Sequence, residues 1–177
     1  MLKGDRVVLR PIERGDLARL WELVGDFEVA VLRYPGPVLP QSLAEFEANF
    51  DQDAARPRKD HADFGIEVDG ELIGSCGLHG VDHLSRSCEL GIGIGREYWG
   101  RGFGQDAVQT LLDYAFEHLN MNRVGLYTLA EDARAVGAYR KVGFVEEGRI
   151  REHAWVRGRF EDELVMSVLR EEWTPRT

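Results

Sequence analysis

Gly100, Gly102 and Gly104, set between a short apolar run and a long amphipathic one, are the residues of this sequence best spaced to do chemistry. The stretch Glu89-Leu90-Gly91-Ile92-Gly93-Ile94 reads as a strand, Gly95 to Trp99 leads into Gly100-Arg101-Gly102-Phe103-Gly104, and a helix follows. From Gln105 onward, Ala107, Val108, Leu111, Leu112, Ala115 and Leu119 keep a helical period. The opening amides of a helix lack intrahelical partners and carry the positive end of its dipole, and glycines let a ligand approach the backbone. Such a turn holds an anionic group, phosphate above all, over Gly100 to Gly104. The spacing Gly100-x-Gly102-x-Gly104 departs from the G-x-G-x-x-G of a dinucleotide site, and no Gly-Lys-Ser/Thr of a P-loop follows. Neither NAD nor ATP is the expected ligand.

A second run, Glu131-Asp132-Ala133-Arg134-Ala135-Val136-Gly137-Ala138-Tyr139-Arg140-Lys141-Val142-Gly143-Phe144, follows the first. In this order the two resemble the GNAT acetyltransferase superfamily. That family's pyrophosphate loop, Gln/Arg-x-x-Gly-x-Gly/Ala, falls on Trp99 to Gly104, with Trp99 where Gln or Arg is usual. Its Glu-Asn-x-x-Ser-x-x-x-Tyr-x-Lys-x-Gly-Phe falls on the second run, with Asp132 for Asn and Ala135 for Ser. The resemblance extends from Arg6 to about the last strand. It is most similar to the branch of ribosomal-protein N-terminal acetyltransferases and spermidine N-acetyltransferases. Leu112-Asp113-Tyr114-Ala115-Phe116 and Gly143-Phe144-Val145-Glu146-Glu147-Gly148 look like the spermidine enzymes in particular.

The resemblance implies acetyl-CoA as co-substrate, with no metal. Its diphosphate is expected on the backbone amides of Gly100 to Gly104, with Trp99, Arg101, Phe103, Gln105 and Asp132 in the cofactor site. Its pantetheine arm is expected to pair like an added strand with a bulged strand at Ile92, Gly93 and Ile94. Tyr139 matches the family's tyrosine, placed to hydrogen-bond the CoA sulfur and protonate it as it leaves. Tyr34 is a candidate for lining the acceptor pocket or a turn aromatic on the core. Trp155 is a candidate for that pocket, a subunit contact or the core.

Acetyl transfer to an amine needs a free nitrogen lone pair, a place for the developing oxyanion and a proton for the thiolate. A primary amine resembles Lys, with a pKa near 10.4, so freeing its lone pair at neutral pH costs roughly 4–5 kcal/mol. Glu89, at the head of the cofactor strand, is the candidate to accept that proton directly or through water, or else a surface charge. A backbone amide near Ile92 to Ile94 is the natural oxyanion donor. No Cys-His nucleophile pattern is evident.

The 177 residues, 44% hydrophobic, are expected to form one domain spanning 1–177. A net charge of -9 argues against nucleic acid and suits a cationic substrate. No apolar stretch reads as a membrane span or signal peptide, so a cytoplasmic protein is expected. Cys76 and Cys88 fall in strands and read as buried thiols. His79, Asp82 and His83 read as solvent-exposed loop residues in preference to a metal site.

The remaining elements follow from local signals. A strand at Arg6 to Arg10 stops at Pro11, and Asp16 is placed to cap a helix carrying Leu17, Leu20, Trp21 and Val24. Ser42 to Glu45 spells a capping box for a second helix, with Leu43, Phe46 and Phe50 inward. Asp69-Gly70 is a type I′ hairpin signal, followed by a third antiparallel strand from Ser87. Val124 to Leu129 is a strand reached by crossover and therefore parallel to it, and a closing hairpin turns at Arg157-Gly158-Arg159. The expected architecture is α+β: the GNAT-type acyl-CoA N-acyltransferase fold, a mixed, mostly antiparallel twisted sheet with helices on both faces.

The expected function is acetyl transfer from acetyl-CoA to a primary amine, either a polyamine such as spermidine or a peptide N-terminus, by a protein that is a candidate homodimer or higher homo-oligomer. The alternatives are a catalytically silent CoA-binding module and, on the glycine turn alone, a different nucleotide binder.

Overall fold

Asp69 and Gly70 both take positive φ, 52° and 82°, the pair of left-handed residues that a type I′ turn requires. They join β3 (Ala62–Val68) to β4 (Glu71–Asp82). Arg157 and Gly158, at 50° and 82°, do the same between β7 (Val145–Val156) and β8 (Arg159–Leu169). The computed structural model describes residues 1–33, 38–55 and 60–175, and of Arg33 the backbone alone. Its other strands are β1 (Leu2–Lys3), β2 (Val8–Arg10), β5 (Ser87–Ile94) and β6 (Arg123–Leu129). They form one eight-stranded sheet in the order β1-β2-β3-β4-β5-β6-β8-β7. Every neighbouring pair is antiparallel except β5 and β6.

Helices α1 (Leu17–Gly25), α2 (Phe27–Arg33) and α3 (Leu43–Ala54) precede β3, α4 (Phe103–Asp113) joins β5 to β6, and α5 (Ala133–Val142) joins β6 to β7. One face of α4, with Ala107, Val108, Leu111 and Leu112 almost wholly buried, packs on Cys76, Leu78, Leu90 and Val124. Leu17, Leu20 and Leu23 of α1 are buried on the opposite face of the sheet. A π-type turn, Tyr114–His118, extends α4 and buries Ala115 and Phe116.

Several expectations change in detail. Asp16 precedes α1 without capping it. Its carboxylate instead takes the Arg10 guanidinium at 2.7 and 2.9 Å and the Glu13 amide at 2.8 Å, and Arg10 holds it below the usual carboxylate range. The box at Ser42 and Glu45 forms as expected. The two-residue β1 and the seven-residue α2 were too short for any periodicity to announce. His79 lies in β4 and not in a loop, because pairing with β5 continues to Asp82 and Ser87 past a register shift. Asp82 likewise ends β4, and only His83 of the three lies in the turn, where the Asp82 carboxylate accepts the Leu84 and Ser85 amides. No bulge interrupts Gly91 to Gly93, since the β4–β5 register is unbroken from His79/Glu89 to Gly74/Ile94. A Cβ on Gly74 would collide with the Gly93 carbonyl, so glycine at 74 is what lets the two backbones approach closely. Cys76 and Cys88 are buried and outside any disulfide, and burial with the Glu89 charge pushes the Cys88 thiol up to about 12.

Asp106, in the first turn of α4 and only 8% exposed, turns its carboxylate away from the helix. It accepts the backbone amides of Asp5, Arg6 and Val7 at 3.2, 2.8 and 2.9 Å. Charged hydrogen bonds of this kind leave buried donors unpaired when broken, so Asp106→Ala is expected to destabilise the fold by about 2–4 kcal/mol. Chemical denaturation of the variant against wild type checks this.

Candidate active site

β5 and β6 are neighbours for three rungs only, Ser87/Arg123, Cys88/Val124 and Glu89/Gly125. Beyond them β5 stays on β4 while β6 keeps to β8. The wedge between them is a cavity of about 470 Å³. Ile92 to Ile94 form one wall, Trp99 to Gly104 the floor, Thr128 and α5 the other wall, and Val29 and Leu32 of α2 the roof.

Strand alternation decides what β5 offers this cavity. The Gly95 amide donates to Ile73 of β4 at 2.9 Å. Residues two apart face the same way, so the backbone groups of Ile92 and Ile94 face the cleft. The Trp99 indole accordingly donates to the Ile94 carbonyl at 2.8 Å.

The turn is held from behind. Gly100 and Gly102 take φ of 73° and 83°, and a Cβ on Gly102 would lie 3.0 Å from Arg6 Nη1. Arg6 donates to the Arg101 carbonyl and stacks on Phe103, 4.8 Å from the ring centre. The first amide inside α4 with an intrahelical acceptor is that of Asp106, 3.1 Å from the Gly102 carbonyl. The amides of Phe103, Gly104 and Gln105 precede it at the positive end of the helix.

Opposite, Asp132 caps α5 by accepting the Ala135 amide at 3.0 Å, and its second oxygen takes Arg134 at 3.1 Å. The Arg134 guanidinium lies 4.0 Å over the Trp99 ring, a cation–π contact across the cleft. Tyr139 follows on the same helix, its ring 5.7 Å from that of Phe144. Burial, reinforced by the Asp132 charge, pushes its phenol up to about 12. The hydroxyl is therefore a hydrogen-bond donor throughout the neutral range.

Ten residues singled out from the sequence line this one cavity: Ile92, Gly93, Ile94, Trp99, Gly100, Gly102, Gly104, Gln105, Asp132 and Tyr139. Arg101 and Phe103 flank it, the first over the Tyr98 ring and the second buried in the core. Glu89 is exposed on the last parallel rung, outside the lining. Trp155 also lies outside it, 48% exposed and edge-on to Phe160 at 4.8 Å. Tyr34 falls outside the described residues. Sequence reasoning missed Arg134, Thr128, Val29 and Leu32. Arg134 had a signal, a cation two residues after a helix cap, whereas the two α2 residues had none.

A larger cavity, about 1210 Å³, opens on the other face between α1, α3 and strands β3 and β4. Leu17, Leu20, Trp21, Phe46 and Phe50 line its apolar part, and Asp53, Asp60, Asp63, His61 and His79 its polar part. Ala30 of α2 lines this cavity while Val29 and Leu32 line the first, so one short helix borders both.

The family model for the acetyltransferase (GNAT) domain matches residues 6–145. The chain is 30% identical over 178 residues to a spermidine N(1)-acetyltransferase of Vibrio cholerae serotype O1, with 98% of this chain and 99% of that protein covered. It is 36% identical over 121 residues, 66% of each chain, to the putative ribosomal N-acetyltransferase YdaF of Bacillus subtilis. The crystal structure of spermidine N-acetyltransferase from Vibrio cholerae in complex with CoA and spermine matches with a TM-score of 0.87 at 29% identity, covering 96% of this chain and 98% of that one. With its parted strands, glycine turn and cleft tyrosine, the chain belongs to the GNAT acetyltransferases, which move an acetyl group from acetyl-CoA to an amine.

Proposed function

We propose that this N-acetyltransferase takes a polyamine of the spermidine class as acceptor. The observation that carries this reading is the division of charge between the cavities. The cleft between β5 and β6 is lined by Arg134 and Lys141 against one carboxylate, Asp132, which suits a diphosphate. The larger cavity has three carboxylates and, among its described residues, no Lys or Arg, which suits a polycation. The relatives named for spermidine support the same choice. A peptide N-terminus is the second reading, favoured by the 36% identity to the ribosomal acetyltransferase. A cytoplasmic location fits two buried cysteines that form no disulfide and the lack, among the described residues, of any helix able to cross a membrane. The exposed pair Trp155 and Phe160 supports a homodimer contact.

The residues present fit acetyl-CoA. The amides of Phe103 to Gln105 would hold its diphosphate, the cleft-facing groups of Ile92 and Ile94 its pantetheine arm, and an amide of that edge the oxyanion. Bound there, it supplies the thioester carbonyl that the amine attacks. Burial pushes the Tyr139 phenol up to about 12, above the ordinary thiol value of about 8.5, so the phenol is poised to donate a hydrogen bond to the departing sulfur and not to surrender its proton in full. Tyr139 thus works as a hydrogen-bond donor that stabilises sulfur as the C–S bond breaks. The proton that ends on sulfur replaces one shed by the attacking nitrogen.

Tyr139→Phe is expected to lower kcat by about 10²–10³-fold while leaving CoA affinity unchanged, as read by thiol release and calorimetry. Because the phenol is held up to about 12, kcat should show no tyrosine limb near pH 10. Gly102→Ala forces a side chain into the left-handed region at about 1–2 kcal/mol and is expected to raise KM for acetyl-CoA about tenfold, with little effect on kcat. For the acceptor, kcat/KM with spermidine should fall about tenfold between roughly 0.01 and 1 M salt, as the screening length shrinks from about 30 to 3 Å. A monoamine should fall far less. Turnover of peptides but not of polyamines would establish the second reading.

A further inference from the structure

We propose that His79, positioned by Asp63, is the group that takes the proton from the acceptor amine. This rests on the assignment of the β5–β6 cleft to acetyl-CoA and of the larger cavity to the amine. His79 sits directly across from Glu89 in the β4–β5 ladder, beside the rung at which β6 departs. It is therefore next to the opening between the strands and on the face that the larger cavity occupies. Its Nε2 lies 3.5 Å from where a Cβ of Gly91 would be, so the ring reaches over β5 toward the parting.

Asp63 of β3 reaches the same imidazole across β4, its Oδ1 3.7 Å from His79 Nε2. It does so over Gly77, where a Cβ would stand 2.5 Å from Asp63 Oδ1 and 3.2 Å from His79 Nε2. Glycine at 77 is thus a condition for the pair to exist. Neither Glu89 nor any cleft residue is as well matched to the task, because an imidazole's ordinary pKa, about 6.5, lies near the operating pH and a carboxylate's does not. The His79 side chain is 51% exposed, which lets the proton leave to solvent.

The protons balance. An ammonium R–NH₃⁺ gives one proton to the imidazole, which passes it to water. The freed lone pair forms the N–C bond as the C–S bond breaks, and the second proton shed by nitrogen matches the one that ends on sulfur. Among the described residues, the other titratable groups near His79 are Asp63 on β3 and His61 just before it, the latter 3.9 Å from Asp63 and 3.0 Å from Asp60. Glu89 stands on β5, and Asp53 of α3 borders the same cavity. The described lining residues of α1 and α2 are apolar or glycine.

The test is the pH profile of kcat with saturating acetyl-CoA and spermidine for wild type, His79→Gln, Asp63→Asn and Glu89→Gln, with CoA affinity measured in parallel. His79→Gln should lose about a hundredfold in kcat at pH 7. The defect should shrink as pH approaches the amine's own pKa near 10.4, where the nucleophile frees itself. Asp63→Asn should lower kcat while leaving the KM for acetyl-CoA unchanged, because the imidazole loses the carboxylate that positions it. Glu89→Gln should keep the limb, and CoA affinity should be unchanged throughout. A His79→Gln enzyme within threefold of wild type, a defect equally deep at every pH, or a limb that disappears in Glu89→Gln would overturn the assignment alone. A wild type that binds CoA yet turns over no amine would overturn the polyamine reading and this assignment together.

Discussion

Parallel pairing between β5 and β6 ends after the rung Glu89/Gly125, and the function of the molecule depends on that ending. Unpaired backbone inside a sheet is costly unless something else satisfies it. The chain keeps the two strands apart by giving each a better partner on its far side, β4 for β5 and β8 for β6. The interior edge so created presents the polar groups of Ile92 and Ile94 along one wall of a wedge. A ligand with amide groups of its own fits such an edge as a missing strand would.

Everything else at the cleft stabilises that edge or the turn beside it. Trp99 ties its indole to the last residue of the strand and its ring to Arg134. Asp132 spends its carboxylate on capping α5 and holding the same arginine. The residues at which this chain departs from the family pattern are thereby connected to one another. Trp99 in place of Gln or Arg meets a cation supplied from α5, and Asp132 in place of Asn anchors that cation.

The anion turn was legible because it is written locally: glycines at fixed spacing ahead of an amphipathic helix, then a tyrosine at a fixed distance from Gly143, whose φ of 107° ends α5. The same holds for Asp69-Gly70 and for the Ser42 capping box. What was not legible is what depends on register between distant strands. His79 reads as a loop residue until pairing with β5 carries β4 past it, and its proximity to Asp63 needs both β3 and the glycine between them. The bulge that the family resemblance implies at Ile92 to Ile94 is absent, and glycine in a strand, which marks either a bulge or a close approach, does not choose between them from sequence alone. The α2 residues that border both cavities belong to a helix of seven residues, below the length at which a period is visible.

The bond network of Asp106 has a consequence in time. Its three amide partners, Asp5, Arg6 and Val7, precede it by 101, 100 and 99 residues. As the chain is made, the segment between β1 and β2 emerges with those donors unmet and stays so until about a hundred further residues have followed. Closing a loop of that length is entropically slow, and sheets rich in such distant pairings fold late. Residues 5–7, made long before Asp106, are thus among the last to be locked. Through Arg6 and the Arg101 carbonyl, the turn that meets the anion reaches its final shape only when residues 5–7 dock on α4.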